Sequence, residues 1–72
     1  MSIQQRKQAD PTKPTVCKFY EGMSIWWAQV LDLDGNYHCD MFFSHAEALE
    51  QAYEYAAMNK AARVLRGLEA AQ

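Results

Sequence analysis

The 72-residue sequence is poor in the features that define several classes of small protein. Two cysteines, Cys17 and Cys39, are too few for the disulfide framework of a small secreted domain. No apolar run approaches the roughly 18 residues that span a membrane, and the N-terminus lacks the apolar core of a signal peptide. A cytoplasmic protein without a membrane anchor is therefore expected.

Basic residues are missing from the centre of the chain. No lysine or arginine occurs between Lys18 and Lys60, and residues 15–59 carry one lysine against seven carboxylates, a net charge of −6. Residues 1–14 and 60–72 are each +2, so the whole chain is −2. Nucleic-acid-binding domains usually present a basic face to the phosphates. Nucleic acid is therefore not expected to bind the acidic core.

The residues that are present predict a single α+β domain. Both prolines lie in a polar N-terminal stretch, so residues 1–14 are predicted to be a flexible leader and residues 15–72 one domain. β-Branched and aromatic residues predict strands over residues 15–20, 24–32 and 36–43. The expected fold is a three-stranded antiparallel sheet packed against one long C-terminal helix.

The order of polar and apolar residues predicts how the second and third strands are joined. Asp34 and Gly35 form a strong signal for a two-residue type I′ hairpin turn, in which both central residues have positive φ. The third strand alternates, and its apolar side is expected to point at the helix. That side contains Tyr37, Cys39, Met41 and Phe43.

The helix start is marked by Ser44 and Glu47, which have the spacing of a capping box. Apolar residues then recur at helical spacing, and Gly67 is a candidate C-terminal stop. Two arrangements fit a helix over about residues 45–66. It either continues past the end of the sheet, or it breaks near Asn59 and a second short helix folds back.

Catalytic and metal-binding chemistry is not expected. The chain contains residue types that can ligate a metal, but they lack the C-x-x-C or H-x-x-x-H spacing of a metal site. These residues are Cys17, His38, Cys39, Asp40 and His45. The residues from Asp32 to Asn36 suggest a hairpin rather than a calcium loop, which would need a glutamate at its twelfth position. One helix on one sheet leaves little room for a substrate cavity, so neither an enzyme nor a cofactor is predicted.

The neighbouring residues Trp26 and Trp27 should lie on opposite sides of the second strand. Because one helix covers only one side of a sheet, one of the two tryptophans is expected on the uncovered side. That tryptophan would belong to a docking patch, be covered by the leader or by the end of the helix, or be partly exposed without consequence.

Three segments, WWAQVLD at 26–32, FSHAEA at 43–48 and AYEYAA at 52–57, resemble the DNA-binding domain of plant ethylene-response factors. The same segments are similar to the arm-binding domain of tyrosine integrases. The resemblance implies the same fold, with Trp26 on the helix side. In that family, arginines and tryptophans of the sheet contact DNA. The matching positions here are Leu31, Tyr37 and Cys39, so the resemblance does not carry over the DNA-reading residues.

These observations predict a small acidic, non-enzymatic binding module, a regulator or inhibitor of the kind that phages and mobile elements encode. Its partner would be another protein, a second copy of the chain in a homodimer, or both. The residues expected to bind a partner are Trp27, Gln29, Leu31, His38 and Phe42. The alternative is a DNA-binding accessory factor of the integrase arm-binding type that uses its basic tails.

Overall fold

The computed structural model describes residues 10–19, 22 and 24–70, and its elements follow the order strand, strand, strand, helix. The strands form one antiparallel sheet in the order β1-β2-β3, and the helix α1 packs against one side of it. The elements are β1 Thr15–Lys18, β2 Trp26–Leu31, β3 Tyr37–Phe42 and α1 His45–Leu65. The predicted α+β fold is confirmed, and α1 passes through Asn59 without a break.

The hairpin of β2 and β3 closes over three residues, 33–35, instead of the predicted two. The amide of Asp32 donates to the carbonyl of Asn36 (2.9 Å), and the amide of Gly35 donates to the carbonyl of Asp32 (3.1 Å). Gly35 has a φ of 87°, and no other described residue except two further glycines has positive φ, so Asp34 does not adopt the conformation that type I′ requires. The prediction of a type I′ turn is therefore wrong.

The side chain of Asp32 stabilises this longer loop. Its carboxylate accepts hydrogen bonds from the amides of Asp34 (2.9 Å) and Asn36 (2.8 Å). An aspartate that bonds the backbone two residues onward favours a type I turn, and a following glycine in the left-handed region completes the three-residue hairpin loop.

The loop length decides which side of β3 meets the helix. A two-residue turn would pair Ala28 with Met41, whereas the structure pairs Ala28 with Asp40. A shift of one residue moves every side chain of a strand to the other face. The predicted orientation toward the helix is therefore wrong. Tyr37, Cys39 and Met41 point away from α1, and Phe43, which follows the strand, is 80% exposed.

The same shift corrects the predictions for His38 and Phe42, which were expected beside the exposed tryptophan. Phe42 lies opposite Trp26 and packs against the buried core. His38 lies opposite Val30, and its ring is 6.0 Å from that of Tyr55 in the helix. Both residues therefore face α1.

Small residues let the helix approach the sheet closely. Ala28 of β2 and Ala48 of α1 are completely buried, and Val30 and Tyr55 complete the buried cluster. Trp26 packs against this cluster, so the prediction that it lies on the helix side is confirmed. Close packing of this kind makes the core sensitive to side-chain volume.

The buried Asn59, which is 1% exposed, joins the helix to the end of β2 and to the chain that precedes β1. Its Nδ2 donates to the carbonyls of Thr12 (2.7 Å) and Leu31 (3.1 Å). The amide of Leu31 in turn donates to the carbonyl of Pro11 (2.9 Å). Pro11 and Thr12 are therefore hydrogen-bonded to the rest of the fold, and residues 1–9 of the predicted leader lie outside the described residues.

Ser44 caps the start of α1, and Gly67 marks its end, as the sequence predicts. The Ser44 hydroxyl accepts from the amide of Glu47 (3.1 Å). At the other end, Gly67 has a φ of 72°, and the amide of Leu68 donates to the carbonyl of Arg63 (2.9 Å), as in a Schellman motif. The predicted start and stop are confirmed.

Replacement of the N-cap should destabilise the fold measurably. We expect Ser44→Ala to lower the free energy of unfolding by about 0.5–2 kcal/mol, because the amide of Glu47 loses its acceptor. Denaturant unfolding measures this loss, and Ser24→Ala, at an exposed serine outside the helix, is the matched control. Equal unfolding midpoints for the two variants would contradict the assigned helix start.

Stability should also depend on the charge of Asp32. Hydrogen bonding to His38, followed by the amide of Asn36, lowers the pKa of Asp32 from 3.8 to about 2. A carboxyl whose pKa is lower in the folded state stabilises the fold above its unfolded pKa, and this contribution is lost as the pH falls from about 4 through about 2. We expect the melting temperature to drop across this range, and to drop less in Asp32→Asn.

The comparison with Asp32→Asn is needed because the pKa values of Asp10 and Glu69 are also lowered, by hydrogen bonds from Thr12 and Arg63 respectively. These groups contribute to the acid sensitivity of both proteins. An identical pH dependence in the wild type and Asp32→Asn would show that Asp32 does not stabilise the folded loop.

Candidate functional site

The sheet surface opposite the helix, called the open face below, is uncharged over the described residues. Strand pairing and alternation place nine neutral side chains on it: Thr15, Cys17, Phe19, Trp27, Gln29, Leu31, Tyr37, Cys39 and Met41. Three residues predicted to bind a partner, Trp27, Gln29 and Leu31, lie there together. The other two, His38 and Phe42, lie on the helix side.

One end of the open face is apolar and centred on Trp27. Its ring meets that of Phe19 edge-on, with 5.2 Å between the ring centroids. On the neighbouring strands, Cys17 and Met41 lie directly opposite Trp27, and Met41 is 59% exposed. A partly exposed tryptophan ringed by apolar side chains is typical of the centre of a protein interface.

The other end of the open face carries a row of neutral hydrogen-bonding groups. The Gln29 amide donates to the Thr15 hydroxyl (3.2 Å), and the Tyr37 hydroxyl donates to the Gln29 carbonyl oxygen. This row crosses all three strands and fixes the orientation of the Gln29 side chain. A hydrogen bond with Cys39, together with desolvation, raises the pKa of Tyr37, so its hydroxyl stays a neutral donor at physiological pH.

A groove of about 310 Å³ lies beside this row, between the chain segment before β1 and the sheet. Pro11 and Lys13 line one side of it, and Leu31 and Tyr37 line the other. The groove is open and mainly apolar, and it extends the surface that a partner can contact.

Three basic side chains near the sheet are engaged away from the open face. Arg63 pairs with Glu69 (2.8 Å) and Arg66 pairs with Asp34 (2.5 Å), while Lys18 lies over the Trp26 ring on the helix side. Among the described residues, none of the strand positions on the open face carries a cation, and Lys13 lines the adjoining groove. The strands themselves therefore offer no charged donor to a phosphate backbone.

The titratable groups on the helix side stabilise the fold. The Tyr55 hydroxyl donates to the Asp40 carboxylate (2.7 Å), and burial together with this bond raises the pKa of Tyr55. His38 Nε2 lies 2.8 Å from Asp32 Oδ2. The His45 ring stacks on Trp26, with 4.5 Å between the centroids. The contacts of Tyr55 and His45 join the helix to the sheet, and the contact between His38 and Asp32 lies within the hairpin of β2 and β3.

No metal centre is assembled by the residues that the structure describes, where no group of three or more candidate ligands comes together. Among these residues there is also no helix long and apolar enough to cross a membrane.

Reasoning from the sequence missed the polar pairs on the helix side. The contacts of Asp32 had a local signal, because an aspartate at the start of a turn often accepts a hydrogen bond from the amide two residues later. That amide belongs to Asp34. The bond between Asp40 and Tyr55 joins residues 15 positions apart and has no local signal.

Comparison of the chain with models of protein families, with curated proteins and with solved structures finds no match. The resemblance to ethylene-response factors and integrase arm-binding domains therefore stays a prediction.

The charge of the open face leads to a direct prediction about DNA. We expect the isolated protein to bind random duplex DNA more weakly than about 1 μM at about 150 mM salt, because residues 15–59 have a net charge of −6 and the strand positions of that face carry no arginine or lysine. Fluorescence anisotropy with a labelled duplex measures this. Micromolar or tighter binding that weakens steeply with added salt would instead favour an accessory factor of the integrase arm-binding type.

Proposed function

We propose that this protein is a small non-enzymatic binding module that docks on another protein through its open face. The observation that carries the proposal is the composition of that face, which consists of neutral side chains around Trp27. Soluble domains rarely expose a contiguous apolar patch unless it contacts something. Tryptophan and tyrosine, which this face combines, are the usual anchors of interfaces.

The charge around the open face favours a partner of a particular chemistry. Residues 15–59 have a net charge of −6, and three carboxylates, Glu47, Glu50 and Glu54, are exposed on α1. An acidic body with a neutral docking face attracts a partner whose apolar patch is surrounded by basic residues. Basic nucleic-acid-binding proteins have such surfaces, so a regulator or inhibitor of a protein of that class fits this charge pattern.

Substitutions on the two sides of β2 test the proposal. Trp27→Ala should lower the affinity for the partner by roughly tenfold or more while the fold stays intact, because its ring lies at the centre of the docking face. Tyr53→Ala is the matched control, since Tyr53 is an exposed aromatic residue on the opposite side of the molecule. Proteins captured by the tagged wild type are purified, and their binding to each variant is then measured by calorimetry.

The fold of each variant is checked by thermal melting. Trp26→Ala, which removes a ring packed against the core, should lose about 3 kcal/mol of stability, whereas Trp27→Ala should melt close to the wild type. A captured protein that binds Trp27→Ala as tightly as the wild type, but loses affinity for Tyr53→Ala, would place the docking site on the helix and contradict the proposal.

A further inference from the structure

The two edges of the sheet differ in how well they are protected from pairing with another strand. β1 is four residues long, carries Lys18 and follows Pro14, all of which discourage pairing. β3 is six residues long and contains neither proline nor lysine. In the described part of the chain, no strand pairs with its outer side. The edge of β3 is therefore an open template for a further strand.

The hairpin determines which backbone groups β3 presents at this edge. Asp32 and Asn36 form a hydrogen-bonded pair, and such pairs alternate with non-bonded ones along an antiparallel ladder. His38, Asp40 and Phe42 therefore exchange hydrogen bonds with β2. The amide and carbonyl groups of the intervening residues, Tyr37, Cys39 and Met41, point outward.

We propose that two copies of the chain associate through this edge, with β3 pairing antiparallel to β3 of the second copy in a register centred on Cys39. The inference goes beyond the proposed function, because it rests on the strand edge and does not require a partner protein. In this register Cys39 faces Cys39, and Tyr37 faces Met41. All three outward residues then exchange backbone hydrogen bonds, about six in total.

Charge selects this register over its neighbours. Backbone hydrogen bonds form between the two β3 strands only where residues with outward amide and carbonyl groups are paired with one another. The registers that keep most of these hydrogen bonds are centred on His38, Cys39 or Asp40. Centring on Asp40 sets two carboxylates directly opposite each other, which destabilises a sheet, and centring on His38 sets two imidazoles opposite each other. Centring on Cys39 places each His38 opposite Asp40 of the second copy.

The dimer would contain one continuous six-stranded sheet. The side chains of two paired residues point to the same face of a sheet. Both helices therefore lie on one face of the six-stranded sheet, and the two open faces form the other. The contact is small and consists mainly of backbone hydrogen bonds. The dimer is therefore weak, and its population depends on protein concentration.

The chain supplies its own pair of probes, because each edge strand contains one thiol, Cys17 or Cys39. In the proposed register the two Cys39 Cα atoms are about 5.5 Å apart, a separation that a disulfide spans. Diamide, which accepts two electrons and two protons from a pair of thiols, is added to the folded protein. Cys17→Ser, which keeps Cys39, should form a covalent dimer readily, whereas Cys39→Ser should form none. Preferential cross-linking through Cys17 would overturn the proposal.

Association without cross-linking is measured by sedimentation equilibrium of the purified chain. The wild-type mass should rise from 8.3 kDa toward twice that value as concentration increases. Cys39→Lys should abolish this rise, because two ammonium groups would meet at the two-fold axis, whereas Cys17→Lys makes the same change away from it and should retain the rise. Circular dichroism checks the fold of each variant. If Cys39→Lys does not fold, Met41→Pro is used in its place, because proline removes one of the outward amides that the dimer needs. A mass of 8.3 kDa at every concentration would also overturn the proposal.

Discussion

The carboxylate of Asp32 sets the pairing of β2 with β3, and the rest of the structure depends on that pairing. It accepts hydrogen bonds from the amides of Asp34 and Asn36, so the hairpin closes over three residues. A loop shorter by one residue would exchange the two faces of β3. This one side chain therefore favours the arrangement in which the polar side of β3 meets the helix and its apolar side stays uncovered.

A polar strand face beneath a helix is stable only if its groups find partners. The helix supplies one of them, since the Tyr55 hydroxyl donates to Asp40 (2.7 Å), and the hairpin supplies another, since Asp32 lies beside His38. Asn59 completes the arrangement by donating to the carbonyl of Leu31, where β1 no longer runs alongside β2. With the side chains of His38 and Asp40 paired, the apolar residues of β3 remain on the outside, where they form part of the candidate docking surface and flank an unprotected edge.

Local signals in the sequence were sufficient for the order of the elements and for both ends of the helix. Ser44 and Gly67 act through contacts within a few residues, so their roles are readable without the fold. Trp27, Gln29 and Leu31 were placed on the correct side because all three belong to β2. His38 and Phe42 were misplaced because their orientation depends on the loop. Asp34 and Gly35 fit either loop length, and the difference depends on the Asp32 side chain.

The measurement that tests this pairing most directly is the set of cross-strand Hα–Hα contacts in a two-dimensional NOE spectrum. Non-bonded pairs of an antiparallel ladder bring their Cα atoms to about 4.5 Å and give strong contacts. The observed register predicts such contacts between Trp27 and Met41 and between Gln29 and Cys39. Contacts that instead join Ala28 to Met41 would show a two-residue turn, place the apolar side of β3 beneath the helix, and contradict both the open face and the proposed edge.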